Sequence, residues 1–122
     1  MNGLISAAIA VLLTTVSIFG QDMEMQEVKI SCYLPTGCKT YSGQVPYVGG
    51  CAVNKEHLGQ TAMLFDAEYR FIGFWEVNDI GGNRLLKQGK AIDIFQETME
   101  DAKAFIRENG DHGFVIWLDA DG

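Results

Sequence analysis

Phe74-Trp75-Glu76-Val77-Asn78-Asp79-Ile80-Gly81-Gly82, followed after a polar loop by Ala91-Ile92-Asp93-Ile94-Phe95, decides how this chain is read. Each half is an apolar, strand-like run that one aspartate closes or interrupts. The loop between them runs from Asn83 to Lys90. Alternate residues of a strand share a face, so Ile92 and Ile94 point one way and Asp93 the other. With the isoleucines in a core, Asp93 faces outward between Ala91 and Phe95. An acid framed by apolar groups tends to keep its proton, because desolvation disfavours the charged form. A general acid needs that property. Two aspartates on two strands are more often ordinary strand-end and surface residues, so the pair needs company before it means chemistry.

Working outward, the neighbouring segments read as more strands. Val28-Lys29-Ile30-Ser31-Cys32-Tyr33 alternates apolar and polar residues. Leu34 to Gly50 holds both prolines, Pro35 and Pro46, with Gly37, Gly43, Gly49 and Gly50, and is a long loop. Long loops in compact domains are often functional. Cys51-Ala52-Val53 reads as a short strand, and Thr61–Phe65 with Tyr69–Val77 as a β-hairpin whose second arm bends at Gly73. Thr98 caps a helix that Asn109-Gly110 ends, with Met99, Ala102, Phe105 and Ile106 as its buried stripe. Phe114–Leu118 is a final, strongly apolar strand. About six short strands and one helix fit a mainly-β closed barrel, since closure removes exposed strand edges. The second architecture weighed is an open α+β sheet with the helix across one face.

Asp79-Ile80-Gly81-Gly82, then a loop, then Ile92-Asp93-Ile94 resembles the three-aspartate ("3D") domain of bacterial cell-wall lytic enzymes. That family groups with rare-lipoprotein-A-like and expansin-like proteins as double-psi β-barrels. Thr40-Tyr41-Ser42-Gly43 is similar to the Thr-Ala-Ser-Gly of the lipoprotein-A branch, and Val77-Asn78-Asp79 to its Val-Asn-Asp-Arg-Gly. Cys51-Ala52-Val53-Asn54, with Leu58-Gly59, resembles the segment carrying the family's first aspartate, here replaced by Asn54. The resemblance runs from about Cys32 to Leu118. It implies a six-stranded double-psi-like barrel with one α-helix over residues 28–122.

The same resemblance implies peptidoglycan, or another glycan strand, as partner and substrate, and no organic cofactor. Lytic transglycosylases of this kind need one acid, because the substrate's own 6-hydroxyl attacks and forms an anhydro sugar. Asp93 would be that acid and later the base. Asp79 would position it and raise its pKa, since a nearby negative charge favours the protonated form. Gly81 and Gly82 would let backbone N–H groups approach the sugar. Asn54, Tyr33, Thr40 and Ser42 are the further candidate contacts. Trp75 shares strand parity with Asp79, but a large aromatic on this strand reads as core. His57 reads as a solvated loop residue. The rival reading is a non-catalytic, expansin-like carbohydrate- or wall-binding module, or a secreted interaction protein that kept only the barrel.

The ends and the charge bound the setting. Gly3 to Phe19 is almost continuously apolar and uncharged, which reads as a signal peptide or signal anchor over residues 1–20, with a flexible tether over 21–27. Asp22, Glu24 and Glu27 suit the translocated side, so the protein is expected outside the cytoplasm, touching membrane only through an uncleaved N-terminal segment. A net charge of −7 argues against nucleic acid. Outside the cytoplasm, Cys32, Cys38 and Cys51 admit one disulfide. Cys32–Cys51 is favoured, as each sits in a strand-like run, and Cys32–Cys38 is the rival. His57 and His112 complete no usual zinc spacing, so no metal is expected.

Overall fold

A computed structural model describes residues 13–18 and 20–119. Seven strands run through it: β1 (Leu13–Ile18), β2 (Gln21–Tyr33), β3 (Gly50–Val53), β4 (Thr61–Asp66), β5 (Phe71–Ile80), β6 (Ala91–Phe95) and β7 (His112–Leu118). Two short helices join them, α1 (Arg84–Lys87) and α2 (Met99–Asn109). The strand order β2-β6-β3-β5-β4-β7 closes through a β2–β7 pairing into the expected six-stranded barrel, and β1 pairs on the free stretch of β2. Strands β2 and β6 run parallel, as do β3 and β5, while the β3–β6, β4–β5, β4–β7 and β2–β7 pairs are antiparallel. Exchanging β2 with β5, β3 with β6 and β4 with β7 leaves this pairing scheme unchanged. The barrel therefore carries a two-fold pattern in its connectivity.

Side-chain alternation fills the barrel. Val28 and Ile30 of β2, Cys51 and Val53 of β3, Ala62 and Leu64 of β4, Val77 of β5, Ile92 and Ile94 of β6 and Val115 of β7 form one buried core. Helix α2 adds Phe105 and Ile106 to it, and the Phe105 ring meets Trp75 edge-on at 5.7 Å. The Thr98 hydroxyl accepts the Asp101 N–H at 3.0 Å, as an N-cap should, and Gly110 ends the helix with φ 85°. Met99, read as part of the buried stripe, is exposed. It stands in the first turn, beyond the reach of the core.

The tether reading of residues 21–27 needs correction. The stretch taken as a tether is the first half of β2, and Leu13–Ile18, taken as signal or anchor, pairs with it in register. Its polar residues misled because one strand face lies in solvent, whereas Met23 and Met25 on the other face are apolar. Met25 joins Phe65, Phe114 and Ile116 in a second buried cluster on the barrel's outer surface, against which Val16, Ile18 and Met23 pack. The rest of the apolar N-terminal run lies outside the described residues. Among the described residues no helix is long and apolar enough to cross a membrane.

The favoured disulfide also fails. Cys32 and Cys51 both face inward in one row, but each pairs with Ile94 of β6, which lies between them. Two strand spacings put their Cα atoms about 10 Å apart, beyond the roughly 7 Å that a disulfide bridges. All three cysteines are thiols, with Cys38 exposed and Cys51 fully buried. Burial, reinforced by Asp93, pushes the Cys32 thiol up to about 11.

Candidate acid site

The two aspartates come together through strand register. Ala52 pairs with Asp79 on one side and with Asp93 on the other, and Asp93 pairs onward with Ser31. Asp79, Ala52, Asp93 and Ser31 thus form one row across β5, β3, β6 and β2. Paired residues share a face, and Ile92, Ile94, Cys51 and Val53 take the inner one, so the row faces outward. A β-bulge makes this possible. Cys51 pairs with Val77 and Ala52 with Asp79, leaving Asn78 as the extra residue. Without it Asp79 would point into the barrel beside Val77. Trp75 consequently lies on the opposite face from Asp79, packed against the core, and the shared parity read from the sequence is broken at Asn78.

The two acids have different surroundings. Asp93 accepts the Ser31 hydroxyl proton at 2.9 Å. Burial pushes its pKa above the ordinary carboxyl value, the Ser31 bond opposes this, and the charge of Asp79 adds to the rise. Asp79 Oδ1 accepts two backbone N–H bonds at 2.9 Å, from Ile80 and from Tyr41. Tyr33, two residues beyond Ser31 on the same face, feels both acids. Burial first and the two carboxylates next raise its phenol pKa well above the usual range. Its hydroxyl is buried and has no hydrogen-bond partner among the described residues.

The long loop docks onto this row. Thr40 is buried, and its hydroxyl lies 2.9 Å from that of Ser42, which donates to Gln44 at 2.9 Å. These hydroxyls are spent inside the turn, where they present the Tyr41 N–H to Asp79 and the Ser42 N–H to the Asn78 carbonyl at 3.2 Å. Thr40 and Ser42, read as groove-lining, therefore position the loop. Tyr47, further along, donates its hydroxyl to Glu76.

Asn54 and the glycines also have structural tasks. Asn54 accepts the His57 N–H and donates to the Lys87 carbonyl, each at 3.0 Å, so both ends of its amide are engaged. It lines an open depression of about 280 Å³ with Lys55, Ile80, Gly81 and Lys87, next to Asp79. The Gly81 N–H donates to Val53 rather than to any ligand, and a Cβ there would lie 2.1 Å from Leu86 Cδ1. A Cβ added at Gly82 would meet nothing within 4 Å. His57, read as solvated, stacks on Trp117 at 4.0 Å. Ser31, Tyr41, Glu76 and Asn78 were missed as site residues, because bulge and register, which are non-local, bring them in. The described residues hold no cluster of three His, Cys, Asp or Glu side chains suited to a metal ion. Compared with models of protein families the sequence matches none, and it matches no curated protein.

Proposed function

We propose that this is an exported protein that acts on peptidoglycan, cleaving glycan strands in the manner of a lytic transglycosylase with Asp93 as its single acid. The observation that carries this reading is the outward row in which Asp79 and Asp93 flank Ala52, with Asp93 the acid whose pKa burial raises. Asp93 gives its proton to the glycosidic oxygen as the bond from that oxygen to C1 breaks. The sugar's own 6-hydroxyl oxygen then bonds to C1, and its proton returns to Asp93, so no water or cofactor is consumed. Asp79 supports the protonated state of Asp93 through its charge.

Export enters this reading from the uncharged apolar run Gly3–Phe19. The packing of Val16 and Ile18 on the barrel favours a chain that retains Leu13–Ile18 over one cut at residue 20. One observation favours the rival, a carbohydrate-binding module without catalysis: Asn54, which stands where the family has its first aspartate, is tied at both ends. The purified chain, incubated with peptidoglycan between about pH 4 and 8 to bracket ordinary and raised carboxyl pKa values, should release anhydro-sugar products seen by mass spectrometry. Binding without release would select the module instead, and neither binding nor release would remove the glycan reading.

A further inference from the structure

Asn78 is 2 % exposed, yet neither its carbonyl oxygen nor its amide nitrogen has a hydrogen-bond partner among the described residues. Buried carboxamides are ordinarily satisfied, because water must be given up for nothing otherwise. The Tyr47 hydroxyl gives its proton to Glu76 and leaves its oxygen near the Asn78 amide, though outside hydrogen-bond geometry. Gly50 leaves room for the amide, since a Cβ there would lie 2.6 Å from Asn78 Nδ2. The buried Tyr33 hydroxyl is a second orphan on the same outer face. Both are groups that a partner of the right chemistry would complete.

What lies over this face is lightly held. Between Leu34 and Gly49 only Thr40 is buried, and Val45 is 72 % exposed. An open cavity of about 530 Å³ separates the loop from the end of β6, lined among others by Pro35, Cys38, Val45, Pro46 and Phe95. Four bonds latch the loop to β5: the Tyr41 N–H to Asp79, the Ser42 N–H to the Asn78 carbonyl, the Tyr47 hydroxyl to Glu76 and, at the loop's end, the Glu76 N–H to the Gly49 carbonyl at 2.8 Å. A ligand rich in hydroxyl and amide groups could replace each of them. Few buried contacts and solvent-facing bonds mark a segment that opens at low free energy.

We infer that Leu34–Gly49 is a ligand-displaced lid, and that its lifting opens a subsite where the Asn78 carboxamide and the Tyr33 hydroxyl bind the hydroxyl and acetamido groups of a sugar. The ligand class rests on the glycan reading above; the lid does not. Amide hydrogen exchange by NMR on the unliganded protein should find Tyr41 and Ser42 exchanging roughly 100-fold faster than Val53 and Ile94. A tetrasaccharide of N-acetylglucosamine, which takes the place of their bonds to β5, should speed both further. Tyr33→Phe and Asn78→Leu remove polar groups that satisfy nothing in the free protein, so their melting temperatures should equal or exceed that of the unmodified chain. Each should bind the tetrasaccharide about three- to tenfold more weakly, the worth of one neutral hydrogen bond. Tyr41 and Ser42 amides as slow as those of Val53 would overturn the lid. Undiminished affinity in Tyr33→Phe, with a lowered melting temperature, would overturn the subsite. Fast exchange in a protein that ignores the tetrasaccharide would keep the lid and overturn the sugar assignment.

Discussion

The Asp93 carboxyl is pushed above its ordinary pKa by where strand alternation puts it. Ile92 and Ile94 are fully buried, which turns Asp93 outward between Ala91 and Phe95, and burial there penalises the charged form. Asp93→Asn keeps the shape and an acceptor for Ser31 while removing the titratable proton. Product release should fall at least 100-fold, the usual scale of general acid catalysis. Stability should move the other way. A carboxyl whose folded pKa is raised stabilises the fold fully below the unfolded pKa, and this contribution is lost as pH rises through the folded value. The variant should therefore melt at or above the unmodified chain at pH 7, with the gap closing in acid. A lower melting point for the variant at pH 7 would refute this account of Asp93. Alternation around Asp93 was legible in the sequence, since it depends on neighbours two residues away. Its partner Ser31 was not, because a parallel register joins positions 62 residues apart. The bulge at Asn78 was equally hidden, and it reversed the facing of Asp79 relative to Trp75.

Elements with local signals were read correctly. The α2 helix announced itself through Thr98 and Gly110, and the hairpin of β4 and β5 through its apolar runs. The irregularity near Gly73 is present too: Leu64 pairs with Gly73 and Phe65 with Phe71, which leaves Ile72 extra. Helix α1 escaped notice in the polar loop, although Asn83 caps it by accepting the Leu86 N–H at 2.9 Å. This one-turn helix buries Leu86 against Gly81 and, through the Lys87 carbonyl, holds Asn54. It fixes the strand end that carries Asp79. Gly81→Ala would drive a methyl group into Leu86 and should cost about 1–3 kcal/mol, the usual range for overpacking, read as a lowered urea midpoint. An unchanged midpoint would mean that Leu86 can move aside freely. The first half of β2 was misread for a different reason. Met23 and Met25 of β2 turn to the outer cluster while the polar residues between them face solvent, which made residues 21–27 look like a tether.

At the scale of the whole molecule, closure of the barrel makes one site from distant segments. Ala52, Asp79 and Asp93 meet because β3 lies between β5 and β6, an order that no local pattern encodes. The sequence was read as a closed six-stranded barrel, which the structure shows, but the strand order that joins the acids was not part of that reading. The inner core depends on β2 to β7 alone, so a chain begun at Gln21 should still fold around it. Loss of Val16 and Ile18 would uncover part of the outer cluster. That chain should unfold at lower urea and bind an apolar dye more strongly, whereas equal stability would deny β1 its packing role. Coupling between the acids is the claim on which the functional reading turns, and it needs no substrate to test. The carboxyl carbons of Asp93 can be followed by NMR through a pH titration of the unmodified chain and of Asp79→Asn, which keeps the Oδ1 acceptor for Tyr41 and Ile80. The Asp93 midpoint should lie above the ordinary aspartate value of about 3.9 and fall when the Asp79 charge is removed. A midpoint at or below that value, indifferent to Asp79, would mean that the two acids do not form one site.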